Sequence, residues 1–235
     1  FPYTTLFRSV SFNHLIVRTM NTTTAPCDGL LFDMDGTLWD AVDSYTQVWD
    51  RTIAESGGKR PPVRREELLS MMGWHLEDIT AKLVPEYKDD KEFLQRLDLN
   101  EHLMMPVLGG RLYPGVKDTL SALSERVPLF LVSNCGTYGL ENFMDVTGLR
   151  PYFRDRLSHG QTLLPKSENI RILVERYNLK NAYYVGDTAT DDRAAADAGV
   201  GMVWCAYGFG TAEKPDFTIR SFPELLALPI IPAAK

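Results

Sequence analysis

Eight residues constrain this chain more than any others: DMDGTLWD, Asp33 to Asp40. Two carboxylates stand two positions apart, directly after the apolar run Gly29-Leu30-Leu31-Phe32 and directly before a Gly-Thr turn. A short apolar run of that kind predicts a buried strand, so the acids fall at its end. Burying unpaired carboxylates is costly. The pair therefore needs a neutralising partner, or it has chemical work to do.

The rest of the chain predicts the sheet around that strand. Tyr45, Val48, Trp49, Thr52 and Ile53 follow the spacing of one helix face and stop at Gly57-Gly58. From Pro61-Pro62 to Gly109-Gly110 the pattern is helical throughout, in REELLSMM, LEDITAKLV and DKEFLQRLDLNEHLMM. After Pro114-Gly115 strands and helices alternate. PLFLVSN (128–134), a short extended stretch near Leu157–His159, AYYVGD (182–187), GMVWCAY (201–207) and DFTI are the expected strands. Such alternation indicates a parallel sheet with helices on both faces. The expected class is α/β: a Rossmann-like, doubly wound parallel sheet core with an inserted all-helical domain. Residues 20–40 and 111–235 form the core and 41–110 the insert. Residues 1–19 are set aside, because FPYTTLFRS looks like the translation of a sequencing-adapter oligonucleotide and Met20 like a start.

Composition excludes several functions. A net charge of −6 with no basic run argues against nucleic acid. No apolar run reaches the ~18 residues of a membrane span. Three scattered cysteines, Cys27, Cys135 and Cys205, offer neither a disulfide framework nor a zinc spacing, so a cytoplasmic setting is expected.

In a sheet of this kind ligands bind beyond the carboxyl ends of the strands. Those ends carry Asp33 and Asp35, Ser133 and Asn134, and Asp187 with Asp191 and Asp192 shortly after. Lys166 sits between them in LLPKSEN. Clustered carboxylates call for a hard cation such as Mg²⁺, which takes oxygen ligands and screens a phosphate beside acids. A carboxylate can attack phosphorus and form an acyl phosphate, a role that fits Asp33. A second acid two residues on can protonate an alkoxide leaving group and later deprotonate water, a role that fits Asp35. Ser133, Asn134 and Lys166 can bind the phosphoryl oxygens, and Asp187 completes the metal shell.

DMDGTLWD, LFLVSN, the lysine of LLPKSEN and VGDTATDDRAAADAG resemble the four ordered motifs of the haloacid dehalogenase superfamily. The helical insert after the first motif looks like the cap of its phosphoglycolate-phosphatase-like branch. The resemblance implies a Mg²⁺-dependent phosphomonoester hydrolase acting on a small phosphorylated metabolite through an aspartyl phosphate on Asp33. It also implies that Asp35 is the acid/base with its backbone carbonyl on the metal, and that Ser133 and Lys166 hold the phosphoryl group. Asp187 is a metal ligand, and Asp191 matches a second acid near the metal. One departure is Ser167 after Lys166, where the family usually has proline.

The alternative is a sugar phosphomutase of the β-phosphoglucomutase type. Those relatives carry a histidine on the hinge helix where Tyr45 stands here, which favours hydrolysis. A dehalogenase would lack Asp35. A non-catalytic binding protein on the same fold would be expected to have lost a motif residue, and all are present. Trp74-His75, after the helix break at Gly73, are candidates for a specificity loop, against ordinary helix-turn-helix packing. The leaving group and the oligomeric state are not written in these motifs.

Overall fold

The computed structural model describes residues 25–234; the expected leader at 1–19 lies outside them. The chain opens with β1 (Gly29–Phe32), crosses a turn into the two-residue β2 (Trp39–Asp40), and enters four helices: α1 (Val42–Glu55), α2 (Arg65–Leu69), α3 (Leu76–Leu83) and α4 (Lys91–Leu108). Next come β3 (Arg111–Leu112), α5 (Val116–Ser124), β4 (Leu129–Ser133), α6 (Gly139–Thr147), β5 (Phe153–Ser158) and the single turn α7 (His159–Thr162). The chain continues through α8 (Lys166–Arg176), β6 (Ala182–Gly186), α9 (Ala189–Ala198), β7 (Gly201–Cys205) and β8 (Phe217–Ile219).

Six strands form one parallel sheet in the order β5-β4-β1-β6-β7-β8. β1 lies near its centre, with Phe32 opposite Leu131 on one side and Val185 on the other. Successive side chains leave a strand on opposite faces, and here they feed two cores. Leu30, Phe32, Leu129 and Leu131 pack with α5 and α6, whereas Leu31, Phe130, Val132 and Tyr184 pack with Ile170 and Leu173 of α8 and Ala194 and Ala195 of α9. Both faces are covered, so the strands read as continuous apolar runs.

The helical segment runs from 42 to 108. Its nucleus is α1 on α4, where the Trp49 and Phe93 rings lie 6.1 Å apart. Asn100 fixes the pairing by donating to the Thr52 hydroxyl and to Glu55, each at 3.0 Å. Asp90 caps α4 by accepting from the Glu92 and Phe93 amides. Pro106 lies inside the last turns of α4.

Two features differ from the expectation. The extended stretch near Leu157–His159 is a full strand beginning at Phe153; FRDRLS is the sheet's outer strand, half exposed and charged, so its pattern is masked. The two connections to the helical segment also pair with each other, β2 antiparallel to β3, Trp39 opposite Leu112. Two-residue strands carry no periodicity for a sequence pattern to show.

Candidate active site

β1 ends at Phe32, and the Asp33 amide donates to Val185 O at 2.9 Å, so Asp33 leaves the sheet at its carboxyl edge. The in-register ends of β4 and β6 bring Ser133 and Asp187 to the same edge. Lys166, the first residue of α8, closes the group from the side. Asp33, Ser133, Lys166, Asp187 and Asp191 are all buried.

The Lys166 ammonium sits between two carboxylates, 2.9 Å from Asp33 and 2.7 Å from Asp191. Burial opposes its charge, but Asp191 and Asp33 outweigh burial and raise its pKa above the usual lysine range. The other Asp191 oxygen accepts from the Thr188 amide and hydroxyl and from the Asp187 amide. This reciprocal cap at the start of α9 orients Asp191 so that one oxygen faces the lysine. Asp187 accepts from the Phe209 amide at 2.7 Å and from the Thr37 hydroxyl at 3.3 Å. Asp192 turns away and holds the Glu213 and Lys214 amides.

Oxygens of Asp33, Asp187 and Asp191 lie within 4.8 Å of one another. Among the described residues Lys166 is the cation paired with this group, so one positive charge faces three carboxylates. Burial raises Asp33 to about 6, with Lys166 opposing and Asp191 reinforcing, and it drives Asp187 well above its ordinary value. Crowded buried acids of this kind are a chemical fit to a hard cation with oxygen ligands.

Asp35 is set apart from that cluster. Its carboxylate accepts from the Trp39 indole at 2.9 Å and from the Tyr45 hydroxyl. Burial first, and then Asp33, raise it to about 7. Two neighbouring carboxyls thus have different environments, one beside an ammonium and one beside neutral donors. Tyr45 reads as part of an apolar helix face in the sequence and Trp39 carries no pattern of its own; their hydrogen bonds to Asp35 could be found only from the turn that brings them round. Gly36 makes that turn possible. Its φ is +81°, and a Cβ there would stand 2.2 Å from Asp187 Oδ2.

Ser133 Oγ accepts from the Cys135 amide at 3.2 Å, which leaves its proton free to donate. The Asn134 amide nitrogen is already bonded to Gly73 O at 2.8 Å, tying the sheet edge to the loop before α3, and its Oδ1 is buried without a partner. Trp74 is partly exposed and lines the cavity over Asp33 and Asp35. His75 instead packs against His159 at a tilt of 44°, with centroids 3.9 Å apart. Glu101 of α4, which no sequence motif singled out, lines the same cavity.

The fold and this edge can now be set beside known proteins. The profile of the haloacid dehalogenase-like hydrolases matches residues 30–205, and the chain belongs to that family. Within it the chain stands with the phosphatases, on the phosphoglycolate-phosphatase-like branch. It is 26% identical over 205 residues to the phosphoglycolate phosphatase of Synechococcus elongatus, covering 84% of this chain and 94% of that one. It is 28% identical over 219 residues to that of Aliivibrio fischeri, covering 85% and 95%. A haloacid dehalogenase-like hydrolase from Streptococcus pneumoniae superposes with a TM-score of 0.74 at 22% identity, over 87% of this chain and 99% of that one. Rhodobacter sphaeroides CbbY, in complex with phosphate, superposes at 0.71 and 18% identity, over 85% and 96%.

Proposed function

We propose that this protein is a Mg²⁺-dependent phosphomonoester hydrolase that acts on a small phosphorylated metabolite through an aspartyl phosphate on Asp33. The observation that carries this reading is the pairing of Asp33 with Lys166 at 2.9 Å, inside a buried acidic cluster, next to a differently poised Asp35.

Mg²⁺ would be held by the Asp33 and Asp187 carboxylates and the Asp35 backbone carbonyl, with Asp191 beside it; when bound it supplies charge that neutralises the acids and screens a phosphoryl oxygen. Lys166 keeps Asp33 ionised and meets a second phosphoryl oxygen. The Ser133 hydroxyl donates to a third. Asn134 holds the Gly73 carbonyl with one amide N–H and would offer the other to the phosphoryl group. An Asp33 oxygen attacks phosphorus and the P–O bond to the leaving group breaks. The leaving oxygen takes the proton from Asp35, which its raised pKa keeps available near neutral pH. Asp35, now ionised, takes a proton from water as the water oxygen attacks phosphorus. The acyl phosphate P–O bond breaks, phosphate leaves, and the Asp33 carboxylate is restored.

Residues 41–110 are proposed to act as a cap over this edge, with the β2–β3 ribbon as its hinge. The three cysteines are unpaired, and no described helix is long and apolar enough to cross a membrane. Both observations support a cytoplasmic setting. Phosphate release from p-nitrophenyl phosphate, measured with and without Mg²⁺, tests the proposal. Release that needs Mg²⁺ and disappears in Asp33→Asn is expected; release unchanged in that variant would overturn it.

A further inference from the structure

The cavity above Asp33 and Asp35 has an unusual wall. On its helical side Tyr45, Trp49, Leu68, Met72, Trp74 and Leu76 present aromatic and aliphatic surface, and Glu101 is the one charged side chain there among the described residues. Glu101 lies on α4 and is 6% exposed. No described residue donates a hydrogen bond or an ion pair to its carboxylate; only its main-chain oxygen is used, by Asn142. The charges that act on it, Asp98 and Asp35, are both negative. Among the described residues no Lys, Arg or His lines this cavity, and Lys166 is held between Asp33 and Asp191. A largely buried acid that lines a cavity and has no cationic partner ionises only at a cost, which a cationic ligand would offset.

Resting on the phosphomonoesterase reading, we infer that Glu101 is the specificity-determining residue of the leaving-group pocket, and that the substrate is an aminoalkyl phosphate whose ammonium pairs with Glu101 between the aromatic walls. The chemistry excludes the substrate that the relatives' name suggests. A glycolate carboxylate in this cavity would have to leave water for apolar walls and two acids, with no cation among the lining residues to receive it, and burying a charge unpaired is costly. A sugar would leave most of its hydroxyls unpaired against apolar walls. An ammonium on a short apolar stem satisfies each feature: it neutralises Glu101, lies against the faces of Tyr45, Trp49 and Trp74, and buries its methylenes on the aliphatic residues. Burial and the two neighbouring acids raise Glu101 to about 8, so in the free protein it holds a proton. The arriving ammonium takes that proton's place.

The test is kcat/KM with Mg²⁺ for phosphoethanolamine, ethyl phosphate, phosphoglycolate and p-nitrophenyl phosphate, on the wild type and on Glu101→Gln. The expected order is phosphoethanolamine above ethyl phosphate by about tenfold or more, and phosphoglycolate last. In Glu101→Gln the ratio of the amino to the neutral ester should fall to within about threefold of one. Phosphoglycolate equal to or ahead of phosphoethanolamine in the wild type would overturn the inference, and so would an amino-to-neutral ratio unchanged in a folded Glu101→Gln. The wild-type ranking decides the matter even if that variant does not fold. Failure to hydrolyse any of the four esters, p-nitrophenyl phosphate included, would instead overturn the phosphatase reading beneath it.

Discussion

Asp33 and Asp35 are the same chemical group set in two environments by their neighbours, and the proposal gives each a different use. An ammonium 2.9 Å from Asp33 stabilises its charge, whereas burial and then Asp33 raise Asp35 to about 7 against the opposing pull of two neutral donors. If that division is right, Asp35→Asn should lose far more rate on an alkyl phosphate than on p-nitrophenyl phosphate, whose leaving group needs no proton. A general acid contributes about 10²–10⁴-fold, and steady-state rates on the two esters measure the gap. Equal losses would remove the acid role. Lys166 sets the stability of the same group. Lys166→Met leaves Asp33 and Asp191 buried without their cation, and loss of one partner from a buried pair costs about 3–5 kcal/mol. Thermal melts should show a large drop for this variant, partly recovered by excess Mg²⁺. Glu101 makes a prediction of opposite sign. Its folded pKa of about 8 is raised above the unfolded value, so the fold binds the extra proton and loses stability as pH rises from about 4.5 to 8. Glu101→Gln should therefore melt higher than the wild type at pH 8, and the difference should shrink towards pH 4.5.

Elements explain why most of this could be read from the chain and some could not. β1, β4 and β6 are short, mainly apolar runs that end at polar residues, so DMDGT, LVSN and VGD marked both a strand end and a candidate site residue. α1 and α8 carried clear helix faces. The outer strand β5 was obscured because it is charged and mostly half-buried, with Arg154 exposed. The β2–β3 ribbon was invisible because two residues make no pattern, yet it carries Trp39 to Asp35. Glu101 lay hidden for a different reason: on a charged helix an acid reads as solvated surface, and only the packing of α4 against α1 and α6 buries it. Lys166 followed by Ser167, not proline, still begins α8 at the expected place. Gly36 belongs to this scale too. Gly36→Ala puts a Cβ 2.2 Å from Asp187 Oδ2 at a φ of +81°. The β1–β2 turn must then shift, and activity should fall with stability, as paired rate and melting measurements would show.

At the scale of the molecule, a sheet edge gathers acids from the ends of β1 and β6 and a hydroxyl from β4, and a helical segment places an apolar roof with one acid above them. The first part is the proposed phosphoryl site, and the second is proposed to decide which ester enters it. The two are joined through the β2–β3 ribbon, through Asn134 to Gly73, and through the His75–His159 contact. The central claim is that phosphorus passes through Asp33. Acid-quenching the wild type during turnover of a phosphate monoester with Mg²⁺, and mapping phosphorylated peptides by mass spectrometry, tests it directly. A phosphoryl group on the peptide containing Asp33, absent without Mg²⁺ and absent in Asp33→Asn, is the predicted result. Turnover with the phosphoryl group on another residue, or undiminished in Asp33→Asn, would contradict it.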